Sequence, residues 1–160
     1  MVANIAMIYN VGAVVGAIIF GHISQVAGRR KGMVAALGLS LLMIPLWAFG
    51  GGLVTIITAS FLMQVGVQGA WGIVPVHLSE LSADAARGLM PGLAYQLGIL
   101  LASPTNSVQY ALHTRFGYQW AMAGFEVVTI LTLAALLWRG SESHSRSFVR
   151  DATAQAESPS

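Results

Sequence analysis

The stretch that decides the fold is VANIAMIYNVGAVVGAIIFGHISQVAGRRKGMVAALGLSLLMIPLWAF, residues 2–49, in which two apolar runs flank one basic turn. A helix crosses a hydrocarbon core about 30 Å thick with about 20 apolar residues. Each run is close to that length, and neither alternates apolar and polar residues as the strands of a membrane barrel do. The stretch therefore predicts two membrane-spanning helices.

The composition of the whole chain extends this interpretation. Of 160 residues, 56% are hydrophobic and only 9% charged, with a mean hydropathy of +0.70, which is too apolar for the surface of a soluble domain. We predict an all-α polytopic membrane protein with five spans, at residues 2–24, 33–49, 53–76, 89–112 and 118–138. We expect residues 1–140 to form the transmembrane domain, and the Ser-rich, charged residues 141–160 to be a disordered cytoplasmic tail.

The basic residues predict an orientation. With five spans, seven of the eight Lys and Arg residues lie on one side of the membrane, and Arg115 lies on the other. Because short cytoplasmic loops retain basic residues, the N-terminus is expected outside and the C-terminus in the cytoplasm. The first run is too long for a signal-peptide core, so the sequence is expected to begin inside the membrane without cleavage. The expected location is the plasma membrane, or the inner membrane of a bacterium.

The first basic connection, GHISQVAGRRK at residues 21–31, resembles the signature loop of the major facilitator superfamily, Gly-x-x-x-Asp-Arg/Lys-x-Gly-Arg-Arg/Lys-Arg/Lys. Gln25 and Val26 replace the acidic residue and the basic residue that follows it. The matching residues are Gly21, Gly28, Arg29, Arg30 and Lys31. A basic turn that only obeys the positive-inside rule would carry the same charges.

The connection after the third span, HLSELSADAARG, resembles the Glu-x6-Arg element of sugar-porter-like members of that superfamily. Glu80 and Arg87 are the matching residues. The resemblance implies that Glu80 pairs with Arg29 or Arg30 in a network that gates alternating access. The alternative is that Glu80 only starts or caps a helix, where its negative charge interacts favourably with the positive end of the helix dipole.

Two further strings, GAWGIVPVHLSEL at residues 69–81 and PGLAYQLG at 91–98, resemble the lactate and carboxylate permeases of the sialate:proton symporter branch. That resemblance implies that the five spans are helices 8 to 12, and that helices 1 to 7 or a complementary chain complete the transporter. It also implies substrate recognition by Gln96, although Ile99 stands where the family has Asn.

Other polar residues in the spans are candidates for a substrate cavity. Gln64 and Gln68 share one helical face, and Asn10 lies in the first span. Each of these amides, like that of Gln96, could instead hydrogen-bond a neighbouring helix. Small residues and prolines shape the packing: Gly12-x-x-x-Gly16 predicts close helix contact. Proline is expected to bend or break the spans at Pro45, Pro75, Pro91 and Pro104.

The sequence contains no acyl-transfer triad, phosphate-binding loop or metal-ligand spacing, so we expect no enzyme, no cofactor and no metal. Its basic residues follow the membrane topology and predict no nucleic-acid partner. The expected partners are the lipid bilayer and, in the intact transporter, a small organic anion and a proton. The sequence thus predicts part of a proton-coupled transporter for lactate or a related monocarboxylate, inactive alone. The alternatives are a transporter fragment for sugar acids or other organic anions, and a membrane interaction subunit that does not transport.

Overall fold

The computed structural model describes residues 2–140, which form six α-helices and one short 3-10 turn. The helices are α1 (Val2–Ala27), α2 (Arg29–Phe49), α3 (Leu53–Leu81), α4 (Met90–Ala102), α5 (Thr105–Phe116) and α6 (Tyr118–Arg139), with the 3-10 turn at Asp84–Ala86. Residues 2–140 contain no strand, so the predicted all-α fold is confirmed. The predicted tail, residues 141–160, lies outside the described part of the chain.

Four of the described helices are long and apolar enough to cross a membrane: α1 from Ala6 onward, α2, α3 and α6. They correspond to predicted spans one, two, three and five. The helices extend further into the first connection than expected, because only Gly28 separates α1 from α2. Gly28 has φ +104°, a backbone conformation that side chains with a Cβ rarely adopt.

The predicted fourth span is divided into α4 and α5, of 13 and 12 residues. Pro104 has no N–H to donate to the carbonyl of Leu100, and that carbonyl accepts a 3.3 Å hydrogen bond from the Ser103 N–H instead. Pro104 therefore breaks the predicted fourth span, as expected for a proline within a span. Pro45 and Pro75 lie inside α2 and α3, which continue through them.

Helix α3 is the centre of the bundle and packs along both α1 and α2. Helices α1 and α3 run parallel, since Gly12 lies against Phe61 and Gly16 against Val65. A Cβ added to Gly12 would lie 2.7 Å from the Phe61 carbonyl oxygen, and one added to Gly16 would meet the Val65 carbonyl oxygen closer still. The predicted close contact of the Gly12-x-x-x-Gly16 pair with another helix is confirmed.

The contact between α2 and α3 also depends on small residues. Gly66 of α3 lies against Ser40 and the Ala36 carbonyl of α2. The buried Ser40 hydroxyl is 3.2 Å from the carbonyl oxygen of Ala36 and 3.4 Å from that of Met63. Helix α6 packs against the outer side of α2, and α5 packs against α6. Helix α4 makes a small contact with α3, and neither α4 nor α5 contains a buried residue.

Candidate functional site

Three helix termini meet at one end of the bundle. Because α1 and α3 run parallel and α2 runs antiparallel to both, the end of α1, the start of α2 and the end of α3 lie together. This places Ser24 in the last turn of α1, Arg29 at the first position of α2 and Glu80 in the last turn of α3. We call these three residues the latch cluster.

Arg29 and Glu80 form a two-pronged ion pair across 51 residues of sequence. The Arg29 Nε lies 3.1 Å from Oε1 and 3.3 Å from Oε2 of Glu80, and Nη2 lies 2.9 Å from Oε1. The side chains are only 14% and 7% exposed. A fork of charge-assisted hydrogen bonds in such surroundings fixes the relative position of the two helices.

Ser24 brings α1 into the same cluster. Arg29 Nη1 donates to the Ser24 hydroxyl oxygen at 2.9 Å, and that hydroxyl donates to the Gly21 carbonyl at 2.7 Å. Ser24 is 1% exposed and lies against Gly32, whose added Cβ would be 2.8 Å from that of Ser24. The sequence analysis did not identify Ser24. The residue lies next to Gln25, where the family motif has an acidic residue, and this position could have indicated a role in the loop.

Arg30 makes its described contacts at a different helix from Arg29. Its Nε donates to the Leu137 carbonyl at 2.6 Å, and its Nη2 donates to the Trp138 carbonyl. The last carbonyls of a helix lack the usual partner four residues further on, although that of Leu137 also accepts a 3.3 Å hydrogen bond from the Gly140 N–H. A cation at this position interacts favourably with the negative end of the helix dipole. Of the two predicted partners for Glu80, Arg29 makes the ion pair, and Arg30 links α2 to α6.

The remaining loop candidates surround the latch cluster. The Gly21 carbonyl accepts the Ser24 hydrogen bond, Gly28 separates α1 from α2, and Lys31 is exposed. Arg87 follows the 3-10 turn and is half-buried. The residues of the two matching loops therefore lie at one end of the bundle.

The predicted substrate residues are dispersed among three helices. Gln64 is buried in α3 and Gln68 is half-buried one turn further along. Asn10 is exposed on α1, and its amide donates to the Ala6 carbonyl of the same helix at 2.8 Å. Gln96 is exposed on α4. The structure does not show these four amides converging on one cavity.

Two cavities in the described residues are lined by residues other than the four predicted substrate residues. A groove of about 590 Å³ between α3 and α4 is mostly apolar, and the ring centroids of Trp71 and Tyr95 lie 5.8 Å apart there. A cavity of about 270 Å³ between α5 and α6 is more polar, and its lining includes Asn106, Gln109, Tyr110, His113 and Tyr118. The first four share one face of α5, because they are spaced three, four and seven residues from Asn106. This spacing could have indicated the polar face from the sequence.

Comparison with known proteins identifies the family. The family model described as "Sugar (and other) transporter" matches residues 1–155. The chain belongs to this transporter family. Relatives named as major facilitator-type transporters place the family within the major facilitator superfamily.

Three relatives of this transporter family illustrate its range. The chain is 35% identical over 126 residues to a carboxylic acid transporter protein homolog of Saccharomyces cerevisiae, covering 72% of the chain and 19% of the relative. It is 35% identical to the quinate permease of Neurospora terricola, covering 60% and 18%. It is 33% identical to the D-xylose transporter of Levilactobacillus brevis, covering 81% and 27%. No solved structure matches the chain.

The chain thus spans about a fifth to a quarter of the length of these relatives. Membership of this transporter family agrees with four described helices that can cross a membrane, and the protein is a multi-pass membrane protein. The latch cluster joins the two segments in which the sequence resembles major facilitator motifs, residues 21–31 and the region from Glu80 to Arg87.

Proposed function

We propose that this chain is part of a proton-coupled secondary transporter for a short carboxylate, and that the latch cluster holds the cytoplasmic ends of α1, α2 and α3 together in one conformation of the transport cycle. The observation that carries the proposal is the buried ion pair of Arg29 and Glu80, with Ser24 as its third member. An ion pair that joins separate helices at one membrane end can lock them together, and its opening lets them separate.

The energetics of the latch cluster favour two discrete states. Removing one partner of a buried ion pair costs about 3–5 kcal/mol, because the other charge stays behind without compensation. Separation of the helices would instead expose both charges to water, which replaces the lost hydrogen bonds. A rocking movement of one group of helices against another, as in alternating access, supplies that separation.

The substrate proposal is lactate or a related monocarboxylate. It is supported by the resemblance of residues 69–81 and 91–98 to lactate and carboxylate permeases, and by relatives named as a carboxylic acid transporter homolog and a quinate permease. Gln96 supplies an amide N–H donor for the carboxylate, with Gln64, Gln68 and Asn10 as further candidates. The second candidate is a sugar acid, a polyol or a sugar, which the relatives named as D-xylose and polyol transporters favour.

Transport is proposed to require further helices, which the resemblance assigns as helices 1 to 7. Helices α4 and α5 contain no buried residue, and Gln96 is exposed on α4, so a second group of helices can cover this surface and enclose a site. The proposed location is the plasma membrane, with the latch cluster on the cytoplasmic side. An interaction subunit without transport activity remains the alternative function.

The test is uptake of radiolabelled lactate in cells that lack their own permeases, with and without an imposed proton gradient. This chain is expressed alone or together with a segment carrying helices 1 to 7 of a related permease. Uptake is expected only with both segments and only with the gradient. Xylose and a sugar acid are tested in parallel to decide between the two substrate classes.

The matched control for the substrate site is a second exposed glutamine. Gln96→Ala is expected to abolish uptake, whereas Gln119→Ala on α6 is expected to leave it unchanged. Equal uptake by both variants would remove Gln96 from the proposed site. Membrane insertion of both segments without uptake of any of the three substrates would favour the interaction subunit.

A further inference from the structure

A cavity with both cationic and apolar walls lies between the start of α2 and the end of α6. Its volume is about 430 Å³, and its lining includes Arg30, Lys31, Val34, Ala35, Leu137 and Trp138. Sites for small ligands have volumes of about 300–1,000 Å³. We infer that this cavity binds one anionic phospholipid, with the phosphate at Lys31 and Arg30 and an acyl chain along Val34, Ala35 and Leu137.

One of the two cations of the cavity, Arg30, is held in place by the end of α6. Arg30 donates from Nε to the Leu137 carbonyl at 2.6 Å and from Nη2 to the Trp138 carbonyl, so its guanidinium is held at the mouth of the cavity. The planar Arg30 guanidinium presents its donors in a fixed fork, whereas the neighbouring Lys31 presents a compact ammonium on a flexible stem. A phosphate at this mouth is attracted by two positive charges.

The apolar wall lies deeper in the membrane than the cations. Val34 and Ala35 follow Lys31 by three and four residues on α2, which places them about 4.5–6 Å further along the helix axis. Trp138, 78% exposed, lies near the end of α6, as indole rings do at a membrane interface. A water-soluble anion would contact only the cations, whereas a lipid also covers the apolar wall.

The identity of the lipid follows from the side of the membrane. In the proposed orientation the cavity opens at the cytoplasmic leaflet, which carries the anionic lipids, and basic pockets between spans on that side bind such head groups. The lipid site depends on this orientation but not on which solute is transported. Its failure and the failure of the transport proposal are therefore separate results.

The test counts the lipids that stay bound to the full chain. The chain is reconstituted with equal amounts of phosphatidylglycerol and phosphatidylcholine with identical acyl chains, extracted in mild detergent, and analysed by native mass spectrometry. Phosphatidylglycerol is expected to be retained in preference to phosphatidylcholine. Lys31→Gln is expected to reduce this preference about fivefold, and Ala35→Trp, which fills the cavity without changing the charge, is expected to reduce retention as well.

The control is Arg115→Gln, which removes one positive charge at the other end of the bundle and is expected to retain the wild-type preference. Circular dichroism confirms that each variant has the wild-type helix content. Equal loss in Lys31→Gln and Arg115→Gln, or equal retention of both lipids by the wild type, would overturn the inference. So would displacement of phosphatidylglycerol by water-soluble glycerol phosphate, because that result would identify a site for a free anion.

Discussion

At the scale of single residues, the choice between two adjacent arginines decides how the helices are connected. Arg29 and Arg30 are neighbours in sequence, but successive residues of a helix point about 100° apart. One therefore reaches Glu80 of α3 and the other reaches the end of α6. The sequence predicted an ion pair between Glu80 and one of the two arginines. Which arginine pairs with Glu80 depends on how four helices pack.

Arg29→Gln is expected to destabilise the protein by about 3–5 kcal/mol, because it leaves the buried Glu80 carboxylate without its counter-charge. Glu80→Gln should have a similar effect, and the double variant should lose less than the sum of the two single losses. The measurement is unfolding in detergent or lipid. Arg115→Gln, at an exposed position, is the control and should stay within about 0.5 kcal/mol of the wild type. Additive losses in the double variant would contradict a direct ion pair.

Ser24→Ala is expected to cost about 1.5–3 kcal/mol, because Arg29 Nη1 loses a buried acceptor for a charged hydrogen bond. Ser79→Ala is the control, since its hydroxyl donates to the Pro75 carbonyl within its own helix and contacts no charge. The same Ser24 change should cost less in an Arg29→Gln background. An unchanged cost there, measured by the same unfolding assay, would mean that Ser24 acts only through packing.

At the scale of helices, glycine determines how closely α1 and α3 approach. Gly16→Ala is expected to destabilise by about 1–3 kcal/mol, because the new Cβ meets the Val65 carbonyl oxygen of the facing helix. Gly38→Ala is the matched control inside α2: no atom lies within 4 Å of its Cβ position, so the change should be neutral or stabilising by up to about 1 kcal/mol. Thermal unfolding of the two variants in the same lipid compares them. Equal effects at the two sites would argue against the close α1–α3 contact.

The helices also indicate where prediction from the sequence reaches its limit. Apolar length identified the spans, and the Gly12–Gly16 spacing identified a packing face, because both are properties of one segment. The exposure of Gln96 on α4 and the lining of a cavity by the polar face of α5 depend on how these helices pack against α3 and α6. That packing cannot be read from the sequence of one segment. The division at Pro104 was predictable in kind, since proline removes a backbone donor, but its outcome of two separate helices required the hydrogen bond from Ser103 to Leu100.

At the scale of the whole molecule, two proposals depend on orientation, because the latch cluster and the lipid cavity are both assigned to the cytoplasmic end. The chain contains no Cys, so single cysteines report their side of the membrane without background. In intact cells an impermeant maleimide is expected to label Gly51→Cys, in the turn between α2 and α3. Ala85→Cys, in the 3-10 turn after α3, should be labelled only after permeabilisation.

Both positions are exposed, so a difference in labelling reports the side of the membrane and not burial. The physical reason for the expected result is the distribution of charge: Arg29, Arg30 and Lys31 lie at the same end as Ala85, and the positive-inside rule retains them in the cytoplasm. The reverse labelling pattern would place the Arg29–Glu80 pair outside. The latch would then close the opposite side of the transport pathway, and the lipid cavity would face the leaflet poor in anionic lipids.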